Sequence, residues 1–233
     1  MRTFVSLHLA RTAGTSFARF LRDEVAHEVP TLILYGPGHP YHGLHWRGRS
    51  SERTRPNDAA PVRELIRTLE PEHERLIVHG HLSVADAERL LGPGELSFGT
   101  WLREPIARIV SHYEYWRDDS PEPPRVPALR ALHRAVRNGD VSVVEFGSND
   151  LIRNYYRRAL APLDAGDLSF VGRFERRASD LARFAERFGL DLRGPFPHEN
   201  AASAADRVRL SSADRQALGD ANADDLRLYE GSR

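Results

Sequence analysis

The feature that most constrains this fold is the alternation of short β-rich segments with amphipathic helical segments. Five strands are predicted, at positions 3–9, 31–35, 75–78, 96–102 and 168–172. Apolar residues at helical spacing predict six helices, at positions 16–28, 84–91, 105–116, 127–136, 151–160 and 179–188. Strands that alternate with helices are joined by crossovers and pair in parallel. The sequence therefore predicts an α/β fold in which helices flank a central parallel sheet.

Length and composition narrow the class of protein. A chain of 233 residues suits one α/β domain over 1–233. The 33 basic and 33 acidic residues balance, which argues against a protein that coats nucleic acid. The chain has no cysteine, so disulfides and thiolate metal sites are excluded. No stretch approaches the roughly 20 apolar residues of a membrane span, and the first residues do not resemble a signal peptide, so we expect a cytoplasmic protein without a membrane partner.

The segment "SLHLARTAGTSFARFL", positions 6–21, passes from a strand to a helix through a small, hydroxyl-rich turn. Backbone N–H groups of such a turn converge on one point, and the helix dipole favours an anion there. Gly14 would allow close approach of an oxyanion, and Arg11 would add a charged donor. The alternative is an ordinary helix cap. The hydroxyls of Thr12, Thr15 and Ser16 could donate to an anion, whereas in the capping alternative the hydroxyl oxygen of Thr15 or Ser16 accepts from free helix amides.

This turn is a poor match to a loop that binds Mg-ATP. Such loops read G-x-x-x-x-G-K-S/T, with a lysine on the β- and γ-phosphates. Here Thr15 follows Gly14, and no glycine stands five positions earlier. The turn therefore suits a phosphate without the features of an ATP-hydrolysing loop.

A second candidate anion site lies in "LSFGTWLREPIARIVSHYEYW", positions 96–116. A predicted strand ends at Arg103, and Pro105 suits the first turn of the following helix. Ser111 stands eight residues after Arg103, a little over two helical turns. An arginine at a strand end with a nearby hydroxyl is a plausible anion site.

The two segments together resemble the nucleotide motifs of sulfotransferases that use 3′-phosphoadenosine 5′-phosphosulfate (PAPS). They are most similar to the heparan and chondroitin/dermatan 2-O-sulfotransferases, a carbohydrate group with motifs like "IPKTAGTS" and "LRDPVERxxSxYxY". This chain has "LARTAGTS" and "LREPIARIVSHYEY" in the same order. Weaker similarity continues in Asn154 and in "FVGRFERRASDL", positions 170–181, and ends near position 200. The resemblance implies a P-loop-like three-layer fold.

The resemblance also implies the roles of the motif residues. Arg103 and Ser111 would bind the 3′-phosphate of PAPS. The residues that would bind its 5′-phosphosulfate are Arg11, Thr12, Ala13, Gly14, Thr15 and Ser16.

Arg11 stands where the family has a lysine that contacts the transferring sulfuryl group. Arginine keeps the charge but is planar and larger. Three interpretations follow: a working variant, a slow enzyme with shifted geometry, or a protein that binds the nucleotide without transfer. The chain contains no lysine at all, a bias typical of a GC-rich, bacterial genome, so a tolerated replacement in an active enzyme is favoured.

Two histidines follow the predicted strand at 75–78, in "RLIVHGHLSVADAERLL". A similar His-Gly-His stands between the nucleotide motifs of the 2-O-sulfotransferases, where it is implicated in catalysis. Sulfuryl transfer to an alcohol needs a base, and histidine titrates near neutrality. The resemblance favours His81 as the base, with His79 orienting it or contacting the acceptor. The alternatives are a pair of metal ligands or two histidines that are hydrogen-bonded within a turn.

Two irregular stretches, 36–60 and 118–127, are predicted as loops or lids that face the acceptor. A metal site in the first stretch is the disfavoured alternative, because glycine and proline oppose a helix and no carboxylate or cysteine stands with the histidines. The histidines are His39, His42 and His45. The candidates for stacking on a sugar or binding an anionic acceptor are Trp46, Arg47 and Arg49.

The sequence thus predicts a bacterial sulfotransferase that uses PAPS and leaves 3′,5′-adenosine bisphosphate (PAP). Its expected acceptor is a hydroxyl of a carbohydrate or a glycosylated small molecule, with no metal required. Two alternatives stay open. One is a P-loop kinase with a degenerate loop, and the other is a catalytically silent nucleotide-binding module.

Overall fold

A computed structural model describes residues 1–35, 41–47, 49–51, 58–92, 94–119, 124, 126–191 and 208–232. Its sheet has seven strands in the order β4-β3-β2-β5-β1-β6-β7. The strands are β1 (Arg2–Leu7), β2 (Thr31–Leu34), β3 (Gly43–Trp46), β4 (Arg49–Ser51), β5 (Arg75–Gly80), β6 (Leu96–Leu102) and β7 (Phe170–Arg173).

Five of these strands pair in parallel. Strand β1 lies between β5 and β6, β2 pairs with β5, and β7 pairs with β6. In the central pair, Ser6 is opposite His79 and Leu7 is opposite Gly80. The predicted α/β class, with a largely parallel sheet flanked by helices, is confirmed.

Ten α-helices are described, and six of them correspond to the six predicted helices. Those six are α1 (Gly14–Asp23), α3 (Val84–Leu91), α4 (Pro105–Glu114), α5 (Pro127–Asn138), α7 (Tyr155–Leu160) and α8 (Arg177–Phe188). The helices that the periodicity did not predict are α2 (Ala59–Leu69) and α6 (Val143–Ser148). The polar segment near the C-terminus forms α9 (Ser212–Ala221) and α10 (Ala223–Gly231).

The stretch at 36–60 is more regular than predicted. Strands β3 and β4 form an antiparallel hairpin there, and β3 also pairs antiparallel with β2. The hairpin forms because His45 pairs with Thr31 on one side and with Ser50 on the other, which satisfies backbone groups that a loop would leave to water. Helix α2 begins at the end of the same stretch. Positions 120–123 and 125 of the stretch 118–127 lie outside the described residues, as does His39.

The chain divides into two compact units, each with its own apolar core. The sheet unit comprises Met1–Leu102 and Leu160–Glu199, and the helical unit comprises Arg103–Ala159 and Asn200–Arg233. The buried core of the sheet unit includes Phe4, Phe17, Phe20, Ile77, Trp101, Phe170 and Phe184. That of the helical unit includes Ile109, Tyr113, Trp116, Phe146 and Leu218. The expectation of a single domain over 1–233 stays a prediction.

None of the helices in the described ranges is long and apolar enough to cross a bilayer.

Candidate functional site

The turn after β1 has a strained, closed backbone. Arg11 and Ala13 have φ of 66° and 71°, a left-handed conformation that costs a side-chain-bearing residue roughly 1–2 kcal/mol. Thr12 between them is buried, and its hydroxyl donates to the Leu9 carbonyl at 2.8 Å. When successive residues alternate between right-handed and left-handed backbone conformations, their N–H groups point into one concavity, which is a common anion site. The hydroxyl of Thr12 therefore holds the turn, and what the turn offers an anion is chiefly its main chain.

Helix α1 begins at Gly14 without a side-chain cap. Its capping position is Ala13, which has no side-chain oxygen and makes no capping hydrogen bond. Thr15 and Ser16 lie inside the first turn of the helix and not at its cap. The residue at the capping position therefore supplies no side-chain cap. An uncapped helix N-terminus behind a left-handed turn attracts an anion.

His79 is buried, and its lowered pKa keeps the ring neutral near neutral pH. Its side chain is 1% exposed, and burial lowers its pKa from 6.5 to about 3, with the nearby His81 acting in the same direction. Nε2 lies 3.1 Å from the Gly14 carbonyl, which can only accept, so Nε2 carries the proton. Nδ1 then accepts from the Ser6 hydroxyl at 2.9 Å. Contact of His79 with an acceptor, one of its two predicted roles, does not fit a ring without exposed surface.

Tyr35 completes the hydrogen bonds around the start of α1. This half-buried residue directly follows β2, and its hydroxyl donates to the Gly14 carbonyl at 3.1 Å. The same hydroxyl lies 2.9 Å from Nε2 of His79. The first carbonyl of α1 is thus held from β2 and from β5 at once.

His81 is exposed and oriented by a backbone carbonyl. Its Nδ1 lies 3.0 Å from the carbonyl oxygen of His8, so Nδ1 donates, and in the neutral ring the lone pair is therefore on Nε2. The ring of His8 stacks on that of His81 with centroids 4.0 Å apart and planes 21° apart. His8 therefore fixes both the tautomer and the plane of His81, which is the orienting role predicted for His79.

His8 also explains the glycine at position 14. A Cβ added to Gly14 would lie 1.7 Å from Cδ2 and 1.9 Å from Nε2 of the His8 ring. Any larger residue would displace His8. Since the His8 ring contacts both Gly14 and His81, it couples the start of α1 to the exposed histidine.

The second predicted segment lies in the helical unit. Arg103 is half-buried, and Ser111 on α4 is 8% exposed. The N-terminus of α4 is capped by Glu104, whose carboxylate accepts from the amides of Ile106 at 3.1 Å and Ala107 at 2.7 Å. Because these amides are already satisfied, an anion in this segment would depend on side chains such as those of Arg103 and Ser111.

The histidines and aromatic residues of the β3–β4 hairpin have neighbours within the sheet unit. His42 and His45 are buried, and Nε2 of His45 lies 2.8 Å from the Tyr41 carbonyl. The rings of Trp46 and His73 meet edge to face with their centroids 4.6 Å apart. The Arg47 guanidinium lies 4.8 Å from the centroid of the Trp46 ring. In the described ranges, no three carboxylates or histidines are grouped to hold a metal. The side chain of Arg49 lies outside the described residues.

Three residues of these sites were missed from the sequence. His8 and Tyr35 each follow a strand directly, the position at which parallel sheets place ligand-binding residues. The rule did not select them from the sequence, because the predicted strands at 3–9 and 31–35 include both residues and the observed strands end earlier. Tyr156, whose hydroxyl contacts the backbone of Arg103, has no such signal because it lies within a helix.

Comparison with known proteins yields a distant structural neighbour. No family model and no curated protein matches the chain. A solved structure similar to it is mouse sulfotransferase SULT7A1 complexed with PAP, at 14% sequence identity and a TM-score of 0.40. The similarity covers 83% of this chain and 60% of that one, so the chain spans about three fifths of its neighbour's length.

The coupling of Gly14 to His8 is testable by a double-mutant cycle in urea unfolding. Gly14→Ala should lower the free energy of unfolding by about 1–3 kcal/mol, because the added methyl overpacks the His8 ring. In a His8→Ala background the same change should cost much less. Gly166→Ala is the control, since its added Cβ meets no atom within 4 Å. Equal costs of Gly14→Ala in both backgrounds would contradict the coupling.

The burial of His79 predicts acid-sensitive stability. The unfolded chain binds a proton at this residue below about pH 6.5, whereas the folded protein does so only near pH 3, so stability falls as pH falls through that window. His79 should therefore lower the free energy of unfolding by about 2 kcal/mol as the pH falls from about 7 to about 5.

The measurement is urea unfolding of the wild type and His79→Gln at both pH values. Glutamine can still donate to Gly14, and the other buried histidines with lowered pKa, His45 and His133, remain in both proteins. His79→Gln should therefore show the weaker pH dependence. The exposed residue His27 provides the control His27→Gln. Equal slopes for His79→Gln and the wild type would refute a neutral, buried His79.

Proposed function

We propose that this protein is a sulfotransferase that moves a sulfuryl group from PAPS to a hydroxyl of a carbohydrate or a glycosylated small molecule. The observation that carries the proposal is the uncapped, left-handed turn at the start of α1, which is coupled through His8 to the exposed His81. An anion site beside an oriented histidine provides the two requirements of the reaction, a holder for the donor and a base for the acceptor. The similarity of "LARTAGTS" and "LREPIARIVSHYEY" to sulfotransferase motifs supports PAPS as the donor.

The residues of the turn fit the 5′-phosphosulfate of that donor. The main chain from Thr12 to Ser16 and the guanidinium of Arg11 would bind its oxygens, with Ala13, Gly14 and Thr15 contributing through the start of α1. In the helical unit, Arg103 and Ser111 would bind the 3′-phosphate. Both would bind through their side chains, because the carboxylate of Glu104 already accepts from the amides at the start of α4.

His81 would act as the general base. Its Nδ1 donates to the His8 carbonyl, so Nε2 can accept the proton of the acceptor hydroxyl. The hydroxyl oxygen forms a bond to sulfur while the bond from sulfur to the bridging phosphate oxygen breaks, which releases PAP and leaves the proton on His81. Arg11 would stabilise the charge on the departing oxygen. His79 would act at a distance, by holding the first turn of α1.

Binding of the donor is tested by thermal unfolding with PAP and, separately, with Mg-ATP. PAP should stabilise the protein by about 2.7 kcal/mol at a hundredfold excess over its Kd, and Mg-ATP should have little effect. Arg11→Ala should weaken binding of PAP by about 10-fold or more, because a charge-assisted contact is lost. The control is Arg19→Ala, which removes an exposed arginine from α1, the helix that follows the turn. Stabilisation by Mg-ATP alone would favour a kinase and overturn the proposal.

The role of His81 is tested with labelled donor and a panel of hydroxyl acceptors. His81→Ala should lower kcat by about 10²- to 10⁴-fold, as expected for loss of a general base, and should leave the affinity for PAP unchanged. His27→Ala provides an exposed-histidine control. Transfer at the wild-type rate would exclude His81 as the base. Binding of PAP without transfer to any acceptor of the panel would favour a silent nucleotide-binding module.

A further inference from the structure

The backbone of Arg103 is clamped by a single buried hydroxyl. Tyr156 is fully buried, and its hydroxyl donates to the Arg103 carbonyl at 2.8 Å. The same oxygen accepts from the Arg103 amide at 3.1 Å. Arg103 lies between β6 and α4, outside any helix or strand, so its polar backbone groups have no regular partner. One side chain therefore satisfies both of them.

Tyr156 is itself held by a reciprocal cap between two helices. The Asp225 carboxylate on α10 accepts from the amides of Tyr156 at 3.1 Å and Arg157 at 3.0 Å. In return, the side-chain oxygen of Asn154 accepts from the amides of Asp224 at 3.1 Å and Asp225 at 3.3 Å. A residue of α10 thus caps the start of α7, and the residue that precedes α7 caps the start of α10. The hydroxyl of Tyr156 is presented to Arg103 from a fixed position.

A buried cation lies against the ring that carries this hydroxyl. Arg108 is 1% exposed, and its guanidinium lies 4.9 Å from the ring centroid of Tyr155 and 5.5 Å from that of Tyr156. Within the described part of the chain, its Nε and Nη2 have no hydrogen-bond partner. The aromatic faces attract this cation, and so does the carboxylate of Asp225, whose pKa is raised by burial and lowered in part by the charge of Arg108. The guanidinium thus packs against the ring that carries the hydroxyl bonded to Arg103.

We propose that the Tyr156 hydroxyl is a positioning group that fixes Arg103 and thereby gives the protein its preference for nucleotides with a 3′-phosphate. The inference rests on the proposed function, in which Arg103 binds that phosphate. The hydroxyl does not touch the nucleotide. It fixes the main chain from which the Arg103 side chain extends, so less freedom is lost when the phosphate binds.

The test compares binding of PAP with binding of adenosine 5′-phosphate, which lacks the 3′-phosphate, by titration calorimetry. Tyr156→Phe removes one oxygen and keeps the buried ring. It should weaken binding of PAP by about 10-fold, the equivalent of two ordinary hydrogen bonds, and leave binding of adenosine 5′-phosphate unchanged. Tyr155→Phe, the adjacent tyrosine on the same helix, is the matched control and should bind both ligands as the wild type does.

A second cycle separates positioning from general stability. In an Arg103→Ala background, Tyr156→Phe should not weaken the binding of PAP further, because the side chain that the Tyr156 hydroxyl positions has been removed. If Tyr156→Phe loses its cooperative thermal transition, Asp225→Asn replaces it. That variant loosens Tyr156 through its amide and should show a smaller loss that is again confined to PAP.

Two results would overturn the inference while leaving the proposed function standing. One is unchanged binding of PAP by Tyr156→Phe, and the other is an equal loss for both ligands. A wild type that binds PAP no better than adenosine 5′-phosphate would instead overturn the proposed role of Arg103, and the inference with it.

Discussion

The hydrogen bonds of one buried imidazole hold the site of the sheet unit together. His79 on β5 bonds to Ser6 on β1 and to the first carbonyl of α1, and Tyr35 after β2 bonds to the same carbonyl. An unpaired polar group at this depth would cost several kcal/mol, so the four segments must keep this arrangement. A neutral histidine suits the position because it donates from one nitrogen and accepts at the other. The strained turn before α1 persists because its end is fixed in this way.

The two candidate anion sites differ in how their helices begin. Helix α1 has no side-chain cap, so its dipole and amides face the left-handed turn. Helix α4 is closed by Glu104, which leaves the neighbouring Arg103 and Ser111 to act through their side chains. The first site therefore depends on main-chain conformation and the second on side-chain placement. The left-handed residues Arg11 and Ala13 shape the backbone of the first site, and the hydroxyl of Tyr156 holds the backbone of Arg103 in the second.

Much of this arrangement could be predicted from local pattern. The passage from strand to helix at Gly14, the proline at the start of α4 and six of the helices follow from residue types and spacing. The β3–β4 hairpin did not, because its strands are short and the glycine, proline and histidine content of 36–60 resembles that of a loop. His79 was predicted as an active-site partner of His81. Its burial depends on the strands on either side of β5, which no local pattern reveals.

The sequence by itself determined the α/β class, the residue types of both anion motifs and the presence of two histidines after one strand. The tertiary structure decided what each histidine does. His81 meets the carbonyl of His8 across 73 residues of sequence, and His79 meets Ser6 across the same interval. Both contacts follow from the register that sets Ser6 opposite His79. Residue spacing fixes which side chains share a strand, but only pairing between distant strands fixes which of them become neighbours.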